Sequence, residues 1–217
     1  MINFVEQFVK IIPRSSMNFI WVSFFNLKKV ITKMKKIYTI LFLIFTVISF
    51  NLKAETVIME TSKGSITIEL DSEKAPITVK NFLQYANDGF YDGLIFHRVI
   101  KGFMIQGGGF DKKMFQKITS DPIKNESKNG LKNEMYTIAM ARTSDPNSAT
   151  SQFFINLVDN YFLDDGAGYC VFGKVTIGQE VVKEIGDLST HINKGMGDVP
   201  IKTVTIKSVK IKKKGTN

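Results

Sequence analysis

The stretch from Phe96 to Gly109, with the sequence FHRVIKGFMIQGGG, limits the folds open to this chain more than any other segment. Its first half carries the β-branched residues Val99 and Ile100 among other apolar side chains, a composition that favours strand pairing. The dipeptide Lys101-Gly102 interrupts the run in its middle. The stretch therefore predicts two short strands joined by a tight turn.

Alternation along the first strand places its side chains on two opposite faces. Phe96, Arg98 and Ile100 are predicted to share one face, with His97 and Val99 on the other. Arg98 is thus a charged group on an otherwise apolar strand. By itself, such an arginine is more often a solvated edge residue than a catalytic one.

The second strand carries a polar residue in a similar position. Met104 and Gln106 share a face, and Gln106 and Arg98 are expected to point the same way. The run Gly107–Gly109 is expected to let the backbone leave the sheet. It lacks the G-x-G-x-x-G spacing, and no Lys-Ser/Thr pair follows it, which disfavours a nucleotide-binding loop.

A second stretch gives Arg98 and Gln106 a context. Residues Thr137 to Asn156 read TIAMARTSDPNSATSQFFIN, and VFGKV follows at residues 171–175. Together with FHRVIKGFMIQGG, these motifs resemble the cyclophilin-type peptidyl-prolyl isomerases, and the bacterial members in particular. The resemblance runs from about Glu55 to about Lys212, and it consists of long motifs in the expected order.

The pattern of short segments predicts a mainly β fold. Pro76 and Gly89 delimit a helix over Ala75–Asp88, and a second short helix is predicted over Gly178–Gly186. The first helix has an apolar stripe at helical spacing, formed by Val79, Phe82, Leu83 and Ala86. Strands are predicted at Thr56–Glu60, Ser65–Leu70, Tyr136–Ala141, Gln152–Leu157, Ala167–Val175 and Val199–Lys210, with a long surface loop over Phe110–Met135.

Many short strands with two helices indicate a closed antiparallel barrel capped at its ends. Periodicity alone leaves a β-sandwich open as an alternative. The resemblance implies the barrel, with eight antiparallel strands and two α-helices.

The charge of the chain is concentrated near its N-terminus. The net charge is +9, and residues 1–54 hold 8 of the 29 lysines and arginines but only one acid, Glu6. The remainder has 21 basic and 19 acidic residues, so its balance is close to neutral. This distribution disfavours nucleic acid as a partner, and the lysines of residues 210–214 are expected to form a solvated tail.

An apolar run near the N-terminus resembles an export signal. Lys33, Lys35 and Lys36 precede Ile37–Phe50, which is 14 uncharged residues long. Because a membrane span needs about 20 apolar residues, this run predicts a signal peptide over residues 34–54, with cleavage after Ala54. An uncleaved anchor is the alternative.

These boundaries divide the chain into three parts. Residues 1–33 form an upstream extension, and we expect translation to begin at Met34. Residues 55–217 form the isomerase domain, which is long enough to bury one core. The protein is expected to be exported, to a periplasm in the first instance, with secretion or signal anchoring as alternatives.

The chemistry of an X–Pro bond explains the need for an arginine. Rotation breaks amide resonance, with a barrier of roughly 18–20 kcal/mol, and the proline nitrogen recovers a lone pair as the bond twists. A cation that donates a hydrogen bond to that nitrogen stabilises the twisted state more than the planar state. By the resemblance, Arg98 matches the family's catalytic arginine. Gln106 matches the glutamine that forms a hydrogen bond with the substrate backbone near the rotating bond. The resemblance implies no nucleophile, metal or cofactor.

The resemblance also implies a dry substrate pocket. Ala141, Arg142 and Thr143 match a segment that pairs with the substrate backbone, and Gln152 matches a polar lining residue. The apolar pocket residues are Phe103, Met104, Phe154 and Leu163, and Phe162 and Tyr169 complete the site. The sequence departs from the family at three of these positions, because Phe162, Tyr169 and Arg142 stand where tryptophan, histidine and asparagine are frequent.

Other kinds of site have little support in the sequence. A zinc site needs three or four ligands, and the two histidines and the single Cys170 do not cluster in the sequence. Cys170 adjoins apolar residues in a predicted strand, so a buried thiol is expected. A serine hydrolase is disfavoured because the chain has no G-x-S-x-G motif.

Two functions from different classes remain. The first is an exported prolyl isomerase that acts on proline-containing client polypeptides during their folding. The second is a chaperone module that binds proline peptides with little turnover. The resemblance implies a monomer, with no stable membrane association once the signal is cut.

Overall fold

The structure is a computed structural model, and it describes residues 31–36 and 55–212. The chain has two compact units, residues 1–52 and 53–217. In the first unit, residues 31–36 are helical. The predicted signal core Ile37–Phe50 and the cleavage position at Ala54 lie outside the described residues, as does most of the predicted extension.

The second unit is built on one eight-stranded antiparallel sheet. In sheet order its strands are β10, β1, β2, β7, β5, β6, β4 and β3. The strands are β1 (Glu55–Thr61), β2 (Ser65–Leu70), β3 (Leu94–Ile100), β4 (Met104–Asp111), β5 (Thr137–Met140), β6 (Phe153–Asn156), β7 (Val171–Ile177) and β10 (Ile206–Ile211). Two further strands, β8 (Thr190–Asn193) and β9 (Met196–Pro200), form a separate hairpin.

The two edge strands of the large sheet approach each other. Ile95 of β3 forms a bridge with Thr205, next to β10. The Phe96 amide donates to the Val204 carbonyl at 3.0 Å, and the Gly93 amide donates to the Ile206 carbonyl at 2.9 Å. These bonds nearly close the sheet, so the predicted mainly β antiparallel barrel is confirmed.

Two α-helices in residues 55–212 contribute to the core of this barrel. They are α1 (Pro76–Asn87) and α2 (Gln179–Gly186). The predicted apolar stripe of α1 is buried, and the ring of its Phe82 lies 5.3 Å from that of Phe172 and 5.8 Å from that of Phe153, between centroids. None of the helices in the described residues has the length and apolar character needed to cross a membrane.

Several predicted boundaries differ from the structure. Strand β4 continues through Gly107–Gly109 to Asp111, so the glycines do not take the backbone out of the sheet. The predicted strand Val199–Lys210 is divided between β9 and β10, and the predicted strand Ala167–Val175 begins only at Val171. Alternating apolar residues near residues 199–210 could not reveal that their first part pairs with β8 rather than with the barrel.

The long loop of residues 112–136 is tied to the start of α1. The residue at the N-cap position is Ala75, which has no side-chain cap to offer. Glu126 takes this role from the loop, because its carboxylate accepts hydrogen bonds from the Ile77 and Thr78 amides at 3.1 and 2.8 Å. It also accepts a bond from the Thr78 hydroxyl at 2.8 Å. A carboxylate at a helix N-terminus satisfies free amides and interacts favourably with the helix dipole.

Replacing Glu126 by alanine is therefore expected to destabilise the domain by about 1–2 kcal/mol, the upper part of the range for lost helix caps. Urea unfolding measures the change. Glu73→Ala, an exposed acid just before α1, is the matched control and should change the free energy of unfolding by less than about 0.5 kcal/mol. Equal effects of the two changes would contradict the capping role of Glu126.

Candidate active site

Strand pairing places Arg98, Gln106, Phe154 and Ala139 in one row across four strands. Arg98 pairs with Gln106 between β3 and β4, Gln106 with Phe154 between β4 and β6, and Phe154 with Ala139 between β6 and β5. The neighbouring row runs through Phe96, Gly107, Phe153 and Met140, whose side chains or backbone are buried. Because alternate residues face opposite sides of a sheet, the first row lies on the outer face of the barrel.

A bulge in β3 changes the predicted faces of that strand. Phe96 pairs with Gly107 and Arg98 pairs with Gln106, so β3 has one extra residue between these pairs, His97. Phe96 therefore belongs to the barrel core, while Arg98 and Ile100 lie toward the outer cluster. The prediction that Phe96 shares a face with Arg98 is wrong, since simple alternation does not hold across a bulge.

The outer row forms the centre of a pocket of about 260 Å³. Its floor is apolar and dry, since Met104 and Phe154 are 3% and 5% exposed. Nine of the predicted site residues line it, namely Arg98, Phe103, Met104, Gln106, Ala141, Arg142, Phe154, Leu163 and Tyr169. The structure thus brings together residues that are up to 71 positions apart in the chain.

The other three predicted residues lie around this pocket. Gln152 accepts a hydrogen bond from the Gln106 side-chain amide at 2.9 Å. Phe162 is 61% exposed and stacks on Phe103, with ring centroids 5.7 Å apart, so it extends the apolar rim. Thr143 does not line the pocket, and its hydroxyl donates to Ser148 Oγ at 2.8 Å instead.

Two glycines of β4 allow the site to form. A Cβ at Gly109 would lie 2.6 Å from atoms of the Gln152 side chain, and a Cβ at Gly108 would lie 2.9 Å from the Phe153 ring. Gly108 also has a φ of +82°, which disfavours other residues. The triple glycine therefore serves the close packing of β4 against the start of β6.

Arg142 supplies a second cation, and its guanidinium is fixed. Its Nε donates to the Gly168 carbonyl at 3.0 Å and its Nη1 to the Thr143 carbonyl at 2.8 Å. Its Cζ lies 4.3 Å from the centre of the Tyr169 ring, which is the geometry of a cation–π contact. The pocket is thus lined by two arginines and by no carboxylate.

A buried network of asparagines, which the sequence analysis did not single out, holds one wall of the pocket. Asn156 Nδ2 donates to Asn133 Oδ1 at 3.1 Å, and Asn160 Nδ2 donates to Asn156 Oδ1 at 2.8 Å and to the Phe103 carbonyl at 3.0 Å. Asn133 in turn donates to Asp164 Oδ1 at 2.8 Å. These bonds join the turn that carries Phe103 to the 3₁₀ segment Tyr161–Asp164, which carries Phe162 and Leu163.

His97 is a buried neutral histidine next to the site. It is 2% exposed, its ring centroid lies 4.6 Å from that of Phe110, and its Nδ1 has no hydrogen-bond partner. Burial lowers the pKa of His97 to about 4, and the positive charge of Arg98 acts in the same direction, whereas hydrogen bonds with Ile95 and Gln152 oppose the shift. His97 is therefore uncharged at neutral pH.

One carboxylate lies close to Arg98. The Oδ2 of Asp198, on β9, is 3.5 Å from Arg98 Nε.

The chain has one cysteine. Cys170 is buried as expected, and burial raises the pKa of its thiol to about 11. In residues 31–36 and 55–212, no three His, Cys, Asp or Glu side chains are grouped so that they could hold a metal ion.

Comparison with known proteins agrees with this geometry. Residues 56–211 match the family described as cyclophilin type peptidyl-prolyl cis-trans isomerase/CLD. The chain is 56% identical over 162 residues to a peptidyl-prolyl cis-trans isomerase of Streptomyces antibioticus, covering 72% of this chain and 98% of that protein. It is 53% identical over 161 residues to peptidyl-prolyl cis-trans isomerase B of Escherichia coli, covering 71% of this chain and 98% of the relative.

Solved structures lead to the same class. A crystal structure of a cyclophilin-type isomerase of Cryptosporidium parvum, in the presence of the dipeptide Ala-Pro, matches with a TM-score of 0.62 and 30% sequence identity, over 73% of this chain and 99% of that chain. The barrel is thus that of the cyclophilin-type isomerases. The chain belongs to the cyclophilin-type peptidyl-prolyl cis-trans isomerase family, and it is an enzyme of that class.

The lowered pKa of His97 predicts a pH-dependent stability. The folded protein keeps His97 neutral, whereas the unfolded chain protonates it below about pH 6.5. The contribution of the neutral histidine to the free energy of unfolding is therefore complete above pH 6.5 and is lost as the pH falls toward about 4. The loss amounts to about 3 kcal/mol for a shift of this size. Urea unfolding across this pH range measures it.

His97→Gln is expected to remove this part of the pH dependence, whatever its effect on stability at neutral pH. The only other histidine, His191, is exposed on the β8–β9 hairpin, so His191→Gln is the control and should keep the wild-type slope. A wild-type slope in the His97 variant would contradict the assignment.

Proposed function

We propose that this isomerase accelerates X–Pro rotation without covalent chemistry, through a hydrogen bond from Arg98 to the twisting proline nitrogen. The observation that carries the proposal is the pairing of Arg98 with Gln106 above a buried apolar floor. Membership of the family indicates the reaction, and the pairing of Arg98 with Gln106 indicates which side chain would act on the X–Pro bond.

The pocket would offer an apolar floor to the proline ring and a positive charge at its rim to the proline nitrogen. The proline ring fits the apolar floor of Met104 and Phe154, where burial of its methylene groups contributes binding free energy. Arg98 approaches from the rim, and a fixed cation is most effective where little water competes. The crystallisation of a cyclophilin-type relative with Ala-Pro supports a proline-containing peptide as the occupant.

Gln106 would hold the substrate backbone next to the bond that turns. Its side-chain amide is oriented by the hydrogen bond to Gln152 at 2.9 Å, which leaves its own carbonyl free to accept from a peptide N–H. The partly exposed segment from Ala141 to Thr143 would pair with the peptide as an added strand. The peptide would then be held on one side of the X–Pro bond while the other side rotates.

Replacing Arg98 by alanine is expected to lower kcat/KM for a short Xaa-Pro peptide about 10²- to 10³-fold, the cost of removing one preorganised donor, while peptide affinity changes little. The kcat/KM of Arg98→Lys should lie between those of the wild-type enzyme and Arg98→Ala, because lysine keeps the charge but loses the planar fork. NMR exchange spectroscopy measures both the rate and the affinity. The control is Lys101→Ala, which removes a cation from the turn next to β3.

A wild-type rate in the Arg98→Ala variant would overturn the role of the arginine. A wild-type protein that binds the peptide without accelerating its isomerisation would instead favour the chaperone alternative.

We further propose that the enzyme acts on exported proteins in a periplasm. The support is the basic residues before the apolar run Ile37–Phe50 and the near-neutral remainder of the chain. Fractionation of the producing cells with N-terminal sequencing of the mature protein tests this. We expect a soluble periplasmic form that begins at Glu55, and a membrane-bound form with residues 34–54 intact would indicate the anchored alternative.

A further inference from the structure

We propose that Asp198 is a positioning residue for Arg98, and therefore a determinant of the isomerisation rate. The inference rests on the proposed catalytic role of Arg98. It starts from the charge contact between Asp198 Oδ2 and Arg98 Nε at 3.5 Å. Within the described ranges 31–36 and 55–212, Asp198 is the carboxylate recorded within ion-pair distance of Arg98.

The contact involves Nε, the guanidinium nitrogen nearest the main chain. Nε lies on the stem of the planar fork, and the two terminal amino groups extend beyond it. A carboxylate held near Nε therefore restricts the rotation of the plane and leaves the terminal donors free for a substrate. Because Arg98 is 42% exposed, few packing contacts can perform this restriction in place of Asp198.

The hairpin of β8 and β9 fixes the position of this carboxylate. At its base, Thr190 pairs with Pro200, and Val199, next to Asp198, is 3% exposed. At its tip, Lys194 Nζ donates to the Lys113 carbonyl at 2.7 Å and lies 4.5 Å from the centre of the Phe115 ring. The tip of the hairpin is therefore attached to another segment, Val199 is buried near its base, and Asp198 lies between the two.

The backbone of Asp198 is set by a bulge of the hairpin. His191 pairs with Val199 and Asn193 pairs with Met196, so β9 has one extra residue between these pairs. The φ of Asp198 is +61°, in the left-handed region that aspartate and asparagine enter more readily than most other residues. The bulge therefore fixes the backbone that carries the carboxylate in contact with Arg98.

Two substitutions separate the side chain from the backbone. Asp198→Asn keeps the shape and tolerates a positive φ but removes the charge. Asp198→Gly removes the whole side chain and relieves the backbone. We expect both to lower kcat/KM about threefold to fivefold, the upper part of the range for a half-exposed ion pair. The affinity for an uncharged Xaa-Pro peptide should be unchanged within about twofold, so that the loss is in kcat.

Thermal unfolding distinguishes positioning from a structural role. Asp198→Gly is expected to unfold at the wild-type temperature or above it, because its φ becomes favourable, and yet to be slower. Asp198→Glu should recover part of the rate. The matched control is Asp187→Asn, which removes contacts with Lys101 and Lys183 and should leave the rate unchanged.

A double-mutant cycle in the full chain provides the decisive comparison. In the Arg98→Ala background, Asp198→Asn should have no further effect, because the positioned group is gone. Added salt should slow the wild-type enzyme toward the rate of Asp198→Asn and change that variant little, since screening weakens exposed ion pairs.

Several outcomes would overturn the proposal. These are a wild-type or increased kcat in Asp198→Asn and Asp198→Gly, an equal loss in Asp187→Asn, or the same loss with and without Arg98. The salt dependence of the wild-type enzyme remains decisive if a variant does not fold. Failure of the proposed function is seen separately, as an Arg98→Ala variant with a wild-type rate.

Discussion

The site depends on one constraint, the register in which β3, β4 and β6 pair. This register places Arg98, Gln106 and Phe154 side by side on the outer face and Phe96, Gly107 and Phe153 side by side inside. A shift of one residue in β4 would exchange the two rows. The glycines of β4 protect the register, because a side chain at residue 108 or 109 would collide with the start of β6. The face that carries the pocket and the face that forms the core are thus specified by the same hydrogen bonds.

Polar contacts between distant segments complete what the barrel begins. Glu126 joins the long loop to the N-terminus of α1, and the asparagine network joins the turn at Phe103 to the 3₁₀ segment. The asparagine amides are bonded to one another and to the Phe103 carbonyl, which favours one arrangement of the segments they join, and the Oδ2 of Asp164 is buried without a hydrogen-bond partner. The walls of the pocket are therefore held by hydrogen bonds, while its floor is held by packing. His97 lies between the two, next to both Arg98 and Gln152, and stays uncharged because burial lowers its pKa.

Much of the fold and most of the pocket could be predicted from the sequence. The helical stripe from Val79 to Ala86 and the short alternating strands indicated a mainly β fold. The choice of the barrel and the twelve site residues came from the resemblance to the family, and nine of those twelve line the pocket. What could not be predicted depends on contacts between distant residues. The bulge at His97 is a property of a strand pair, and no local pattern marks it. Asp198 follows Arg98 by a hundred positions, and only the fold brings the two charges together. Asn133, Asn156 and Asn160 looked like ordinary polar residues until their common burial was seen.

The outward direction of the Arg98 row has a consequence for the length of substrate that the enzyme can accept. The barrel interior is filled by its own side chains, so no part of a client has to be threaded into it. Because the pocket lies on the outer wall, a bound polypeptide would be able to continue beyond it on both sides. A proline in the middle of a long, partly collapsed chain would then be as accessible as one in a dipeptide. We expect access to be limited by the exposure of the proline in the client and not by the size of the client.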